Sequence, residues 1–204
     1  MVGFMKDTKE HILLISLQLF SQKGFKEVTM NEIVEKTGLS KGAFYHYFSS
    51  KEQVFTEVIR YFFMDMMLID YNLFSQSSLK EFYRDILERN EDNNEASQKM
   101  LPKQKGAFNA NYYYLIFDAM RMLPDFRAHR LEQQKEQLKI WRDVIETARK
   151  NNEIATGMTD KQLAKLFIYL GDGVNLNMVM DGKPDKKRDQ LKTLWDGLYD
   201  TLKT

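Results

Sequence analysis

The residues best equipped for chemistry lie between Thr29 and Lys51. Lys41, Tyr45, Tyr47 and Lys51 end in long polar tips. Among them stand the small residues Ser40, Gly42 and Ala43 and the imidazole of His46. Such a set suits docking on a polyanion. Ammonium and phenol groups reach phosphate oxygens, and small residues let a backbone approach base edges. From Lys36 to Lys51 there are three lysines and no acid, so positive charge gathers there although the whole chain carries only +1. Phe44 and Phe48, four residues apart, share the opposite face of a helix and are expected to pack inward.

Catalytic constellations do not appear. His11, His46 and His129 are the only histidines, and no His-Glu-x-x-His, Gly-x-Ser-x-Gly or phosphate-loop glycine pattern occurs. The absence of cysteine excludes disulfides, thiolate zinc sites and cysteine nucleophiles. Gly171-Asp-Gly-Val-Asn175 suggests a calcium loop, but ligand positions three and five are wrong and no closing Glu follows. Lying inside a helical apolar pattern, it reads as close helix packing. No enzyme activity, cofactor or metal is expected. Met1 to Lys6 has no apolar core long enough for a signal peptide. The longest apolar stretch, Ile59 to Ile69, is broken by Arg60 and Asp65 and cannot span a bilayer. A cytoplasmic chain without a membrane partner is expected.

The elements that must position these residues are helices. Only three prolines and ten glycines occur in 204 residues, and β-type alternation is scarce. The first helix is expected from Thr8 to Gln22, with Asp7 and Glu10 as a capping box and Gly24 as the stop. The second starts at Thr29, whose hydroxyl caps while Glu32 reaches back, and Met30, Ile33, Val34 and Thr37 line one side. After a turn at Gly38 and Leu39, a short third helix runs from Ser40 to about Phe48. Two short helices joined by a glycine-containing turn are the outline of a helix-turn-helix unit. The fourth starts at Ser50, paired with Gln53, and is expected to reach Leu73. The fifth carries Leu79, Phe82, Tyr83 and Ile86, and polar Asn90 to Gly106 reads as a loop. The sixth ends at Pro124. The seventh holds Leu138, Trp141, Ile145 and Ala148 and stops at Asn151 and Asn152, since asparagine tolerates the left-handed conformation. The eighth and ninth are expected over residues 159–180 and 185–202. The fold class is thus all-α with about nine helices.

The start of the chain also resembles a known family. Thr8-Lys-Glu-His-Ile-Leu13, Leu19-Phe-Ser-Gln-Lys-Gly-Phe25, Val28-Thr-Met-Asn-Glu-Ile33 and Thr37-Gly-Leu-Ser-Lys-Gly-Ala-Phe-Tyr-His-Tyr-Phe-Ser-Ser-Lys-Glu52 are similar to the head of tetracycline-repressor (TetR) regulators. The likeness covers about residues 8 to 60. It implies a homodimer that binds a double-stranded DNA operator through two heads and a small-molecule effector through its body, with operator occupancy as repression. It also implies that Thr29 caps the second helix against a phosphate. Lys41, Ala43, Tyr45, His46 and Tyr47 would meet the operator, with Ser40 and Gly42 beside them and Lys51 on a phosphate.

The division that follows is a DNA-binding domain at 1–50 and an effector-binding, dimerising domain at 51–204. Apolar stripes on the eighth and ninth helices nominate Leu166, Leu170, Val174, Leu191, Leu194, Trp195 and Leu198 for the dimer interface. Effector candidates are Phe63, Met67, Tyr113, Phe117, Met120, Trp141 and Asn175, which suit either an adaptable apolar pocket or plain core. Two rival readings stay open: a ligand-free architectural DNA binder, and an enzyme or protein-interaction module on a helical scaffold.

Overall fold

Helices of one or two turns are unstable alone and persist only when capped and buried on one face. The first part of this chain meets both conditions. The computed structural model describes residues 2–65, 70–100, 110–181 and 187–204. Its helices are α1 (Val2–Glu27), α2 (Met30–Thr37), α3 (Lys41–Tyr45), α4 (Lys51–Ile59), α5 (Leu79–Met100), α6 (Ala110–Met122), α7 (Pro124–Lys150), α8 (Asp160–Met180) and α9 (Lys187–Asp200). Among the described residues the only β pairing is an isolated antiparallel bridge between Ile154 and Lys203. The fold is all-α, as expected.

Several element boundaries differ from expectation, and α3 ends at Tyr45, short of Phe48. α1 is already helical at Asp7, so the chain does not begin its helix there. Gly24 does break it: at φ 78° it adopts a conformation open to glycine, and α1 kinks before a last turn to Glu27. The fourth helix is α-helical only to Ile59 and widens into a π-helical turn over Arg60–Asp65. That wider turn accompanies burial of two consecutive rings, Phe62 and Phe63. A 3-10 turn follows at Tyr71–Leu73. α5 continues to Met100 through the polar stretch read as a loop. Polarity removes the periodic signal without removing helical propensity. Residues 101–106 of that expected loop lie outside the described residues. Asn152 ends α7 at φ 55°, as expected.

The chain packs as two compact units. The first comprises Met1–Leu68 with Met100–His129. Its core joins Ile12, Phe20 and Ile33 to Phe44, Phe48, Phe55, Leu115 and Phe126. Phe55 meets Phe20 edge-on at 5.3 Å and Phe25 at 4.9 Å. α4 and the turn after it are tied to α1, where Lys9 bonds Glu57 at 2.8 Å and the Tyr61 hydroxyl donates to Glu10 at 2.9 Å.

The second unit comprises Ile69–Lys99 with Arg130–Thr204. Trp141 is its centre, with Phe82, Phe167 and Trp195 at ring distances of 4.9, 5.1 and 5.5 Å. The Trp195 indole N–H donates to the Phe167 carbonyl at 3.0 Å. Glu153 caps α5: its carboxylate accepts from the Leu79 and Lys80 amides at 3.0 and 3.1 Å, where the helix dipole favours negative charge. Arg149 closes the α7–α8 connection by donating to Asp160 at 2.6 Å, to Thr156 O at 2.9 Å and to Met158 O. A methyl group on Gly171 would lie 3.6 Å from the Trp195 ring, an ordinary van der Waals contact, and one on Gly173 would meet nothing within 4 Å.

Candidate nucleic-acid interface

The geometry begins with two caps. The Thr29 hydroxyl accepts from the Glu32 amide at 3.2 Å, and the Ser40 hydroxyl accepts from the Ala43 amide at 3.2 Å. Such caps typically contribute about 1 kcal/mol each. The Glu32 carboxyl is held below the usual carboxylate range, first by its hydrogen bond from the Lys23 ammonium at 2.5 Å. Between the helices Gly38 sits in the left-handed region at φ 69° and donates its N–H to Glu35 O. The Thr37 hydroxyl is buried on Val34 O at 2.8 Å, and its carbonyl meets His11 Nε2 at 3.2 Å. Turn and helices are thereby fastened to α1.

α3 then divides cleanly. Phe44 and Phe48 are 0 % and 1 % exposed, inside the first core. Thr29, Ser40, Lys41, Gly42, Ala43, Tyr45 and His46 are exposed and Tyr47 is half-buried. His46 and Tyr47 brace each other edge-on at 5.5 Å. A methyl group built on Gly42 would meet nothing within 4 Å, and its φ is not in the left-handed region. An exposed helical glycine costs about 1 kcal/mol relative to alanine, yet neither packing nor backbone conformation requires one here. Gly42 leaves open space beside α3. Lys51, at the head of α4, turns its ammonium onto backbone carbonyls instead of solvent: Phe25 O at 2.8 Å and Val28 O at 2.7 Å.

Residues 12–58 match the profile of the bacterial regulatory proteins, tetR family. The match is confined to the head, which resembles that family. This TetR-type head is similar to that of the HTH-type transcriptional regulator YerO of Bacillus subtilis, at 43 % identity over 58 residues, 28 % of this chain and 20 % of the relative. A longer likeness is to the HTH-type transcriptional repressor KstR2 of Mycobacterium tuberculosis, at 25 % identity over 70 % of this chain and 67 % of that one. The matches to YerO, and to YuxN from the same organism, each span only 20 % of the relative's length. Beyond the TetR-type head the fold extends the likeness. NalD, the secondary repressor of the MexAB-OprM multidrug efflux pump in Pseudomonas aeruginosa, superposes with a TM-score of 0.63 over 98 % of both chains at 15 % identity. Reduced Escherichia coli NemR gives 0.58 at 22 % identity, over 93 % of this chain and 97 % of that one. At such identities the likeness is one of fold.

The residues nominated outside the TetR-type head separate. Val174, Leu191 and Trp195 are 4 %, 3 % and 3 % exposed, inside the second unit's own core. A side chain enclosed by its own chain offers little surface to a partner. Leu166 and Leu194 are 40 % and 39 % exposed, and Leu170 and Leu198 are half-buried. Of the effector candidates, Phe63, Tyr113, Phe117 and Met120 fall in the first unit and Trp141 and Asn175 in the second. Phe117 is 58 % exposed and Trp141 only 1 %; Met67 lies outside the described residues.

Two features were missed. One is a cleft of about 80 Å³ in the first unit, lined by Thr56, Arg60, Met64 and Leu123–Phe126. The other is a polar cluster in the second unit. Burial pushes the Tyr71 phenol up to about 12 against its hydrogen bond with Gln137, and Asp172 and Arg130 act on it from α8 and α7. Scattered over a hundred residues, this cluster has no local sequence signature. Among the described residues no helix is long and apolar enough to cross a membrane.

Proposed function

We infer that the chain is a ligand-responsive transcriptional regulator, a cytoplasmic repressor that binds a palindromic operator as a homodimer and is released by a small-molecule effector. On this reading residues 1–50 bind DNA, and residues 51–204 bind effector and dimerise. The outward face of α3 carries the reading: Lys41, Gly42, Ala43, Tyr45 and His46 stand exposed on a helix whose inner side is locked by Phe44 and Phe48. Recognition helices read base edges with their first turns, and Gly42 supplies the clearance. Thr29, Ser40 and Tyr47 flank this face.

A two-fold operator requires a two-fold protein. The surface suited to the second copy is the outward stripe of α8 and α9, with Leu166, Leu170, Leu194 and Leu198. Effector response is supported by two buried polar atoms, Trp141 Nε1 and Asn175 Oδ1, which have no hydrogen-bond partner among the described residues. Unpaired groups of this kind cost about 1–3 kcal/mol each, and a bound polar group would relieve that. Release would be a population shift: the effector must favour the conformation whose heads are misspaced for the operator.

A second reading, a ligand-free DNA binder, is favoured by the size of the cleft. Its 80 Å³ is well below the roughly 300–1,000 Å³ of small-molecule sites, so this cleft would have to open to hold an effector. Selection of bound duplexes from a random pool tests the reading. Enrichment of a two-fold symmetric sequence is expected, with half-sites about one helical turn apart; a pool that returns no common sequence overturns it. A thermal-shift screen, followed by operator titration with each hit, separates the two readings.

A further inference from the structure

The carbonyls at the end of a helix lack intrahelical partners and carry the negative end of its dipole. At the end of α1 they converge on one cation. Lys51 Nζ lies 2.8 Å from Phe25 O, 2.7 Å from Val28 O and 3.4 Å from Lys26 O. An ammonium has three protons and no acceptor, so this set occupies its donors. The same nitrogen is 4.4 Å from the centroid of the Phe25 ring, over its electron-rich face. Phe25 and Val28 are 9 % and 0 % exposed, so the carbonyls are held in a fixed frame. The next residue, Thr29, is the cap of α2. Lys51 is itself the first residue of α4, whose start is separately capped by Ser50 on the Gln53 amide at 3.1 Å.

We propose that Lys51 is a positioning residue: it ties the first turn of α4 to the entry of α2, so that the two move as one piece. It acts on DNA through the placement of Thr29 and the helices that follow, and not by contacting a phosphate. A phosphate contact would require the ammonium to leave the carbonyls it joins.

Two experiments on the full chain test this, and the first needs no DNA. In Lys51→Met, amide hydrogen exchange at Glu32 and Ile33 is expected to quicken at least tenfold, with α8 amides unchanged. Unaltered exchange at the α2 entry overturns the proposal. The second experiment rests on the DNA-binding reading and titrates a selected duplex across salt concentrations. Lys51→Met is expected to lower affinity at least tenfold while keeping the wild-type slope of log K against log salt. Loss of one phosphate contact flattens that slope by about 0.9, and that result overturns the proposal. Lys51→Arg keeps the charge but offers a planar fork that does not converge on carbonyls grouped around a point cation. It is expected to behave like Lys51→Met in both experiments, and it serves alone if the Met variant does not fold. Wild-type exchange, affinity and slope in Lys51→Arg would show that charge alone matters. If wild type selects no duplex, the DNA reading fails while the exchange experiment still decides the role of Lys51.

Discussion

On α3 of the first unit the outward face is small and polar, and on α8 of the second it is apolar. Leu166, Tyr169, Leu176 and Met180 recur along α8 at helical spacing and are 40 %, 60 %, 46 % and 75 % exposed. The interiors differ as well. The first unit holds two helices of eight and five residues in place with caps at Thr29 and Ser40 and with fastenings to α1. The second relies on long helices and a ring cluster around Trp141. A polyanion groove requires a surface that leaves clearance and offers donors, which short, locally braced helices can present. An apolar stripe on a long, ring-packed helix suits another protein surface. The comparison separates residues that hold a unit together from residues that face a partner.

The sharpest way to break that separation is at neighbouring positions of α9. Trp195→Ala removes a buried ring and should cost about 3–5 kcal/mol in chemical denaturation. Leu194→Ala, on the outward side, should cost less than about 1 kcal/mol. Equal losses would mean that the inward and outward faces are misassigned. A second comparison pairs assembly with stability: Leu166→Glu with Tyr169→Glu should leave the monomer's unfolding within about 1 kcal/mol. Sedimentation should then show monomer at micromolar concentrations where wild type is expected to be dimeric. A double variant that still sediments with wild type would remove this stripe from the interface.

A smaller effect carries a pH signature. The Tyr83 hydroxyl donates to Asp196 at 2.7 Å and Lys192 reaches it at 2.6 Å. Burial alone would raise the Asp196 carboxyl, but these hydrogen bonds outweigh it and hold it below the usual carboxylate range. A carboxyl whose folded pKa is depressed contributes stability above its unfolded value, near 3.9, and loses it as pH falls through the folded one. Asp196→Asn should therefore cost about 1 kcal/mol at neutral pH, with the difference from wild type shrinking in acid below about pH 4. A constant difference from pH 7 to pH 2 would dissociate the effect from ionisation. The smallest effect has the opposite sign. Gly42→Ala should stabilise the fold by up to about 1 kcal/mol and weaken operator binding, because the methyl group fills clearance that the fold does not use. Unchanged operator affinity would show that nothing approaches Gly42.

Much of the interface was legible because its determinants are local. The caps at Thr29 and Ser40 and the turns at Gly38 and Asn152 each involve groups within four residues, and residue type reports them directly. The inward Phe44 and Phe48 followed from helical period. Other boundaries were not legible. α5 passes through a polar stretch whose helicity leaves no amphipathic trace, and the π-helical turn after Ile59 reflects how Phe62 and Phe63 are both taken into the core.

Local chemistry and periodicity determined by themselves that the chain is all-α, that its head is a helix-turn-helix, and that Phe44 turns inward while Lys41, Gly42, Ala43 and His46 stand outward. Tertiary structure alone decided which apolar residues of α8 and α9 are interior. In sequence Leu194 and Trp195 belong to one stripe, but the Trp195 indole is drawn in by a carbonyl 28 residues away, that of Phe167. It likewise decided where the Lys51 ammonium goes, since its partner Phe25 O is 26 residues distant. Spacing specifies a side chain's direction relative to its own helix; what it meets there depends on distant segments that only folding brings within reach.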